Sequence, residues 1–190
     1  MPSPLGHLLA GLSVGIAADP SPQPTSRPPA DRATRFALTC AVLAAAPDLD
    51  LAVPHALIDH FHRTATHSLT AVALVFIVSL VVTGKVTAGS GRLRQALVFS
   101  GAWGTHLLMD WLGADPSVPS GIQLFWPFSP DFYMSGVTIF PAIERNIQRS
   151  HFLVQNATAA VVEVAVGVPL VLLANWVSAR RARPAEEAQS

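Results

Sequence analysis

The amino-acid sequence predicts an all-α fold, a polytopic membrane bundle of about five helices. Of its 190 residues, 51% are hydrophobic and only 13% are charged, and the mean hydropathy is +0.42. A soluble core of this size normally uses fewer apolar residues. The length suits one domain, which we place at residues 1–178, and we expect a disordered cytoplasmic tail at residues 179–190.

Five apolar segments predict the helices of this bundle. Three are apolar and long enough to cross a bilayer, namely residues 68–84, 93–112 and 157–177. The other two, residues 5–18 and 34–46, are below the usual spanning length. We expect these two to be short helices that pack against the others and reach only partway through the membrane.

The longest connection, residues 113–156, is rich in proline and aromatic residues. Its prolines are Pro116, Pro119, Pro127, Pro130 and Pro141, and its aromatic residues include Phe125, Trp126, Phe128, Phe132 and Tyr133. Aromatic side chains of this kind favour the interface between membrane and water. The connection is therefore expected to cover one end of the bundle or to rest in the headgroup layer.

The basic residues predict the orientation of the bundle. Nine of the twelve lysines and arginines fall in three connections that alternating helices place on one side: Arg27, Arg32, Arg35, Lys85, Arg92, Arg94, Arg180, Arg181 and Arg183. By the positive-inside rule that side is cytoplasmic. The sequence thus predicts a multi-pass protein of the bacterial inner membrane, with the N-terminus outside and the C-terminus in the cytoplasm.

Charge and cysteine content exclude other classes of protein. The formal net charge is zero, and basic residues do not form a stripe with interleaved aromatic residues, so nucleic-acid binding has no electrostatic support. The single cysteine, Cys40, lies in an apolar segment and cannot form an internal disulfide. The expected partner is membrane lipid, and the oligomeric state is not indicated.

Histidine and aspartate residues lie at a common distance from the basic ends of the segments. Four positions are 12 to 18 residues from that end: His7, Asp48, His67 and His106. At about 1.5 Å per helical residue, this places them roughly 18 to 27 Å above the basic plane. Separate helices therefore bring these side chains together near the outer face of the bilayer.

Local spacing supports a metal site at this level. His106 and Asp110 are four positions apart and so share one face of a helix. Two further pairs stand at segment ends, Asp48 with Asp50 and His62 with His67. Imidazole and carboxylate together suit divalent zinc first, with manganese or iron as alternatives, and their number exceeds the four ligands of tetrahedral zinc. The sequence predicts one or two ions, and a carboxylate bridging two metals is one possible form.

Structural interpretations of the same residues remain open. His106 and Asp110 can form a structural hydrogen-bonded pair, Asp50 can cap a helix end, and His7 can be an ordinary interfacial histidine. Glu163 is expected to make a polar contact between helices rather than to bind metal. Loop or interfacial positions are expected for His55, His60 and His151.

Five short motifs, in order, resemble the YdjM-like family of bacterial inner-membrane proteins. They are Pro4-Leu5-Gly6-His7, Pro47-Asp48-Leu49-Asp50, His62-Arg63-Thr64-Ala65-Thr66-His67-Ser68, His106-Leu107-Leu108-Met109-Asp110 and Leu124-Phe125-Trp126-Pro127-Phe128-Ser129. The resemblance runs from His7 to about Ser129, and Ala65 stands where the family usually has glycine. It implies a membrane location, a metal site and metal-dependent hydrolase chemistry, the last of which is itself an inference for the family.

These observations lead to a hypothesis about roles. The predicted metal ligands are His7, Asp48, His62, His67, His106 and Asp110, with His62 either a ligand or a neighbour of one. Asp50 is the predicted catalytic carboxylate, although it too can be a ligand or support one. Arg63 is predicted to stabilise an anionic transition state, with an interfacial anchor as the alternative.

A site at this depth is accessible to substrates that reside in the membrane. The hypothesis therefore names a phospholipid or another lipid-linked or phosphate ester as the substrate. The alternative function is non-catalytic: a membrane protein that binds or transports a metal ion, or that docks a partner. The lack of an inverted repeat weakens the transport alternative.

Overall fold

The computed structural model describes residues 1–19, 29–52, 62–83 and 90–187. Within these ranges it contains five α-helices and no β-strand, which confirms the predicted all-α class. The helices are α1 (Pro4–Ala17), α2 (Pro29–Ala45), α3 (Leu69–Thr83), α4 (Ser90–Trp111) and α5 (Phe152–Glu187). Two 3-10 helices, Ala46–Ala52 and Ala65–His67, follow α2 and precede α3. His55 and His60 lie outside the described residues.

Helix α1 is the centre of the bundle. It packs against α2, α4 and α5, while α3 packs against α4. The pairing of α1 with α2 is close because a Cβ atom at Gly11 would lie 2.4 Å from the Cys40 carbonyl oxygen, and one at Gly15 would lie 2.5 Å from the Ala37 Cα. Two glycines four residues apart are typical of close contacts between membrane helices. The sequence carried this signal, and our prediction did not use it.

The helix ends opposite the predicted metal site are joined by arginines. Arg94 donates to the carbonyl oxygens of Ala18 and Asp19 at 3.0 and 3.2 Å, and Arg181 donates to that of Ala17 at 2.8 Å. These carbonyl groups at the end of α1 lack partners within the helix, and a cation there is favoured by the helix dipole. Arg94 of α4 and Arg181 of α5 therefore lie at the same end of the bundle, beside the end of α1.

The lengths of the helices support the predicted membrane spans to different degrees. Within the described residues, only Phe152–Arg181 is both long and apolar enough to cross a bilayer, and α1 and α3 are shorter apolar helices. Several apolar side chains of α3 and α5 are more than half exposed, among them Leu74, Ile77, Val81 and Leu172. An exposed apolar surface of this kind marks an interaction surface, and lipid is one medium that would cover it.

The last helix departs from its predicted bounds at both ends. It begins at Phe152 rather than residue 157, so the connection before it ends at His151. It also continues to Glu187, beyond Ser178, where the predicted disordered tail would begin. Residues 179–183 are all alanine or arginine, which are strong helix formers and explain the continuation as far as Arg183. Residues 188–190 lie outside the described ranges.

Candidate metal centre

His7 is placed in the site by the first turn of α1. Ser3 caps this helix, since its hydroxyl accepts a hydrogen bond from the Leu5 amide at 3.2 Å, and Pro4 occupies the first helical position, where its fixed φ is favourable. The Glu163 carboxylate of α5 accepts further hydrogen bonds from the Ser3 amide at 2.6 Å and the Gly6 amide at 3.0 Å. The expected helix contact of Glu163 is thus present, and it fixes the turn that carries His7.

His106 and Asp110 lie one turn apart near the end of α4 and are almost completely buried. His106 Nε2 is 3.2 Å from Asp110 Oδ2. The other ring nitrogen, Nδ1, is 2.8 Å from the Ala44 carbonyl oxygen. A carbonyl oxygen can only accept, so Nδ1 carries the proton and Nε2 has a free lone pair. This is the tautomer that a metal ligand requires.

Five side chains from four parts of the chain meet at this point, and we call them the His/Asp cluster: His7, Asp48, His67, His106 and Asp110. Nε2 of His67 is 3.5 Å from an oxygen of Asp48 and 3.5 Å from an oxygen of Asp110. Nε2 of His7 is 3.6 Å from Asp110 Oδ1 and 4.0 Å from Asp48 Oδ2, and Nε2 of His106 is 3.7 Å from Asp48 Oδ1. The structure thus brings together five of the six predicted metal ligands.

The atoms of the cluster fit a metal ion. Nε2 of His7, His67 and His106 and both carboxylate oxygens of Asp110 are buried, and none has a hydrogen-bond partner among the described residues. Such groups are nearly always paired in native proteins, because burying them unpaired is costly. Ligands about 2.1 Å from one ion lie about 3 to 3.5 Å from each other, close to the spacing observed. The donor set is suited to a divalent cation.

Asp50 and His62, the two other predicted acid and imidazole residues, stand beside the cluster. Asp50 accepts hydrogen bonds from the Thr66 hydroxyl and from His62 Nδ1, both at 2.8 Å. The Thr66 oxygen lies 2.9 Å from His67 Nδ1 and, having given its proton to Asp50, accepts from that nitrogen. Asp50 thereby fixes the tautomers of both His62 and His67. Nothing in the sequence analysis gave Thr66 a role.

His62 also has a ring nitrogen that can bind a metal ion. Its Nε2 is buried and, within the part of the chain described, has no hydrogen-bond partner. His62, Asp48 and His67 each present a ligand atom within 4.8 Å of the others, as do His7, His106 and Asp110. The two groups are joined through the contacts of His67 with Asp110. His62 therefore lies where a second ion could share ligands with the first.

Arg63 is directed to the connection after α4. Its Nη1 donates to Asp115 Oδ2 at 2.6 Å, to the Pro119 carbonyl oxygen at 2.7 Å and to that of Gly121 at 3.1 Å. Its guanidinium also lies 5.2 Å from the centre of the Phe132 ring. These contacts anchor the chain before α3, and they do not support the predicted role of Arg63 in stabilising a transition state.

Asp115 completes this second assembly, the Arg63–Asp115 clamp, which also includes Ser117 and Gly121. Asp115 accepts from the amide and hydroxyl of Ser117 at 3.0 and 2.6 Å and from the Gly121 amide at 2.9 Å. Burial raises the pKa of the Asp115 carboxyl, but these hydrogen bonds and the Arg63 guanidinium outweigh burial and hold that pKa below its ordinary value.

The members of the His/Asp cluster differ in exposure. The side chains of His7, His67 and His106 are fully buried, that of Asp110 is 1% exposed, and that of Asp48 is 17% exposed. Asp48 is therefore the most exposed member of the cluster. His151, predicted to be peripheral, is half exposed and lies 3.3 Å from Glu144 in the connection.

Fold and site together define an all-helical protein with a buried cluster of three histidines and two aspartates suited to a divalent metal. The sequence profile of the family described as YdjM inner membrane protein matches residues 1–182. The chain therefore belongs to the YdjM inner membrane protein family. The match includes residues 152–182 of the last helix, which the short motifs had left uncovered. No curated protein and no solved structure matches the chain.

Proposed function

We propose that this protein is a multi-pass membrane hydrolase that depends on a divalent metal held by the His/Asp cluster. The observation that carries the proposal is the convergence of three buried imidazole nitrogens and a buried carboxylate that lack hydrogen-bond partners among the described residues. Five donors would suit zinc, manganese or iron, and a six-coordinate ion held by all five would have one position left for water or substrate. His62 would serve a second ion that shares Asp48.

The contacts of the His/Asp cluster indicate what the side chains of the protein would do in the reaction. A divalent cation in such a site lowers the pKa of a bound water to about 7 and polarises an ester oxygen. With a single ion bound, Asp48, the most exposed member of the cluster, would accept a proton from water through the oxygen that does not hold the metal. Asp50 and Thr66 keep His67 in the tautomer that leaves its Nε2 free.

Membrane topology supports a lipid-linked ester as the substrate. Successive helices contribute to the site at alternating ends: the start of α1, the end of α2, the start of α3 and the end of α4. The arginine contacts lie at the opposite ends, which the positive-inside rule assigns to the cytoplasm. The proposed topology has the N-terminus outside, the C-terminus in the cytoplasm and the site near the outer interface, where lipid headgroups lie.

A substrate panel tests the hydrolase proposal. Purified protein in mild detergent, loaded with zinc, manganese or iron, is assayed on phosphate and carboxylate esters of lipids. We expect turnover of at least one ester that a chelator abolishes and that Asp110→Asn lacks, while Asp115→Asn retains it. Metal-driven flux into liposomes without ester turnover would overturn the proposal in favour of a metal transporter.

A further inference from the structure

A cleft of about 470 Å³ lies between α4 and α5, and α1 is its floor. It exists because α5 packs mainly against α1 and leaves the neighbouring face of α4 uncovered. Ala10 and Val14 line the floor, and Leu108 and Leu170 stand on the two sides. This volume is in the range of pockets that bind small molecules.

The polar groups in the walls of the cleft are already occupied. The hydroxyls of Ser13 and Thr105 donate to carbonyl oxygens of their own helices at 2.8 and 2.7 Å. The Glu163 carboxylate is held by Ser3 and Gly6 at the start of α1. A polar ligand would find almost nothing to bind here and would lose its hydration, whereas a hydrocarbon chain would lose nothing.

Length and openness indicate what kind of hydrocarbon fits. The cleft follows α1 from Gly6 to Ala17, a rise of about 16 Å, which is about half of the roughly 30 Å hydrocarbon core of a bilayer. Its rim is open to the side, since Leu108, Leu170 and Leu173 are 52%, 45% and 54% exposed. For a helix bundle in a membrane, the surrounding medium on that side consists of acyl chains.

We propose that the cleft binds one acyl chain of a membrane phospholipid. The proposal rests on the membrane embedding of the proposed function, but it does not require a metal ion. The end of the cleft at Gly6 and Met109 lies beside the site, because these residues precede His7 and Asp110 in the chain. Lipid bound in the cleft therefore extends from the level of the His/Asp cluster toward the basic end of the bundle.

A photoreactive lipid tests the proposal on the unmodified chain. The protein is placed in vesicles of phosphatidylethanolamine and phosphatidylglycerol that contain two photoreactive phosphatidylglycerols, one with a diazirine near the carboxyl end of an acyl chain and one with a diazirine near its methyl end. Mass spectrometry then maps the labelled residues. Met109 and Ala174 line the cleft and are only 7% and 5% exposed, so bulk lipid does not reach them, whereas Leu172 is 64% exposed and reports bulk lipid. We expect label on all three.

Two substitutions of the same size separate the cleft from the outer surface. Ala10→Phe fills the cleft and should lower the labelling of Met109 and Ala174 about tenfold while that of Leu172 stays unchanged. Ala165→Phe, at an exposed position of α5 outside the cleft, should change none of the three. Circular dichroism and a thermal melt check that both variants fold.

Three results would overturn the proposal. One is label on Leu172 without label on Met109 and Ala174 in the unmodified protein, a result that depends on no variant. Another is unchanged labelling in a folded Ala10→Phe variant. The third is cross-linking of cleft residues to a second copy of the chain, which would make the cleft an interface between copies. A His67→Ala variant should keep the labelling, so loss of metal and loss of lipid are distinguishable.

Discussion

Two buried polar assemblies lie at the same end of the bundle, and they differ in how well their atoms are partnered. In the Arg63–Asp115 clamp, both oxygens of Asp115 accept hydrogen bonds and Arg63 Nη1 donates three. In the His/Asp cluster, the buried Nε2 atoms of the three histidines and the Asp110 oxygens approach each other without forming hydrogen bonds among the described residues. An assembly whose polar atoms are all partnered stabilises the fold by itself. Converging buried nitrogen and oxygen atoms without hydrogen-bond partners are instead suited to bind a ligand such as a metal ion.

Substitution of a cluster ligand should have the strongest effect on metal binding. His67→Ala and Asp110→Asn each remove one of the five metal-binding side chains, so we expect the affinity for zinc to fall by more than about 100-fold. Equilibrium dialysis against a competing chelator measures this affinity. Asp115→Asn in the clamp is the matched control and should bind zinc like the unmodified protein. Equal affinity in all three variants would show that the two assemblies do not differ as proposed.

Substitution of a residue that orients a metal ligand should lower the affinity for zinc less than substitution of the ligand itself. Thr66→Val removes the hydroxyl between His67 and Asp50, and we expect a loss of about 10- to 100-fold in zinc affinity because the His67 tautomer is no longer fixed. Thr70→Val is the control, since the Thr70 hydroxyl binds the Trp126 carbonyl oxygen outside the cluster. A Thr66→Val variant with unchanged affinity would remove Asp50 and Thr66 from the description of the site.

Arg63 distinguishes a clamp from a catalytic group. Arg63→Ala removes hydrogen bonds of a charged group, and one such bond contributes about 1.5 to 3 kcal/mol to the free energy of unfolding. The melting temperature should therefore fall by several degrees. Metal binding should not change. If Arg63 has the catalytic role predicted from the sequence, ester turnover in Arg63→Ala should instead fall far more than stability. Arg63→Lys keeps the charge, and a comparison of its ester turnover with its melting temperature distinguishes the two roles.

The pH dependence of the clamp gives the smallest expected change. Because the pKa of Asp115 is lowered on folding, its contribution to stability is complete above the pKa of the unfolded chain, about 4, and is lost as the pH falls through the folded value. The melting temperature of the unmodified protein should therefore decrease below about pH 4 more steeply than that of Asp115→Asn. Parallel curves would contradict the assignment of this pKa.

The helices were predictable because an apolar segment of the right length is a local property of the sequence. The five predicted segments correspond to α1 to α5, although α2 begins at Pro29 rather than at residue 34 and α5 extends beyond its predicted bounds at both ends. Residues 157–177 meet the length and hydropathy requirements for a span within a longer helix. The 15 residues described in α3 are apolar but shorter than the roughly 20 that a span needs, so its length supports the predicted crossing less strongly.

The cluster was predictable to the level of residues but not of atoms. Counting along helices places His7, His67 and His106 at one depth, since helical rise is regular. The roles of Asp50 and Arg63 depend on irregular segments, where no periodicity fixes the direction of a side chain. The partner of Arg63, Asp115, lies 52 residues further along the chain in a proline-rich connection. Only the folded structure shows that contact.

The metal content of the purified protein tests the central claim most directly. The full chain is purified in mild detergent, stripped with a chelator, reconstituted separately with zinc, manganese and iron, desalted and measured by elemental analysis. We predict about one ion per chain for at least one metal, rising to about two if His62 completes a second site. Less than about a tenth of an ion per chain with all three metals would contradict the assignment of the His/Asp cluster as a metal centre.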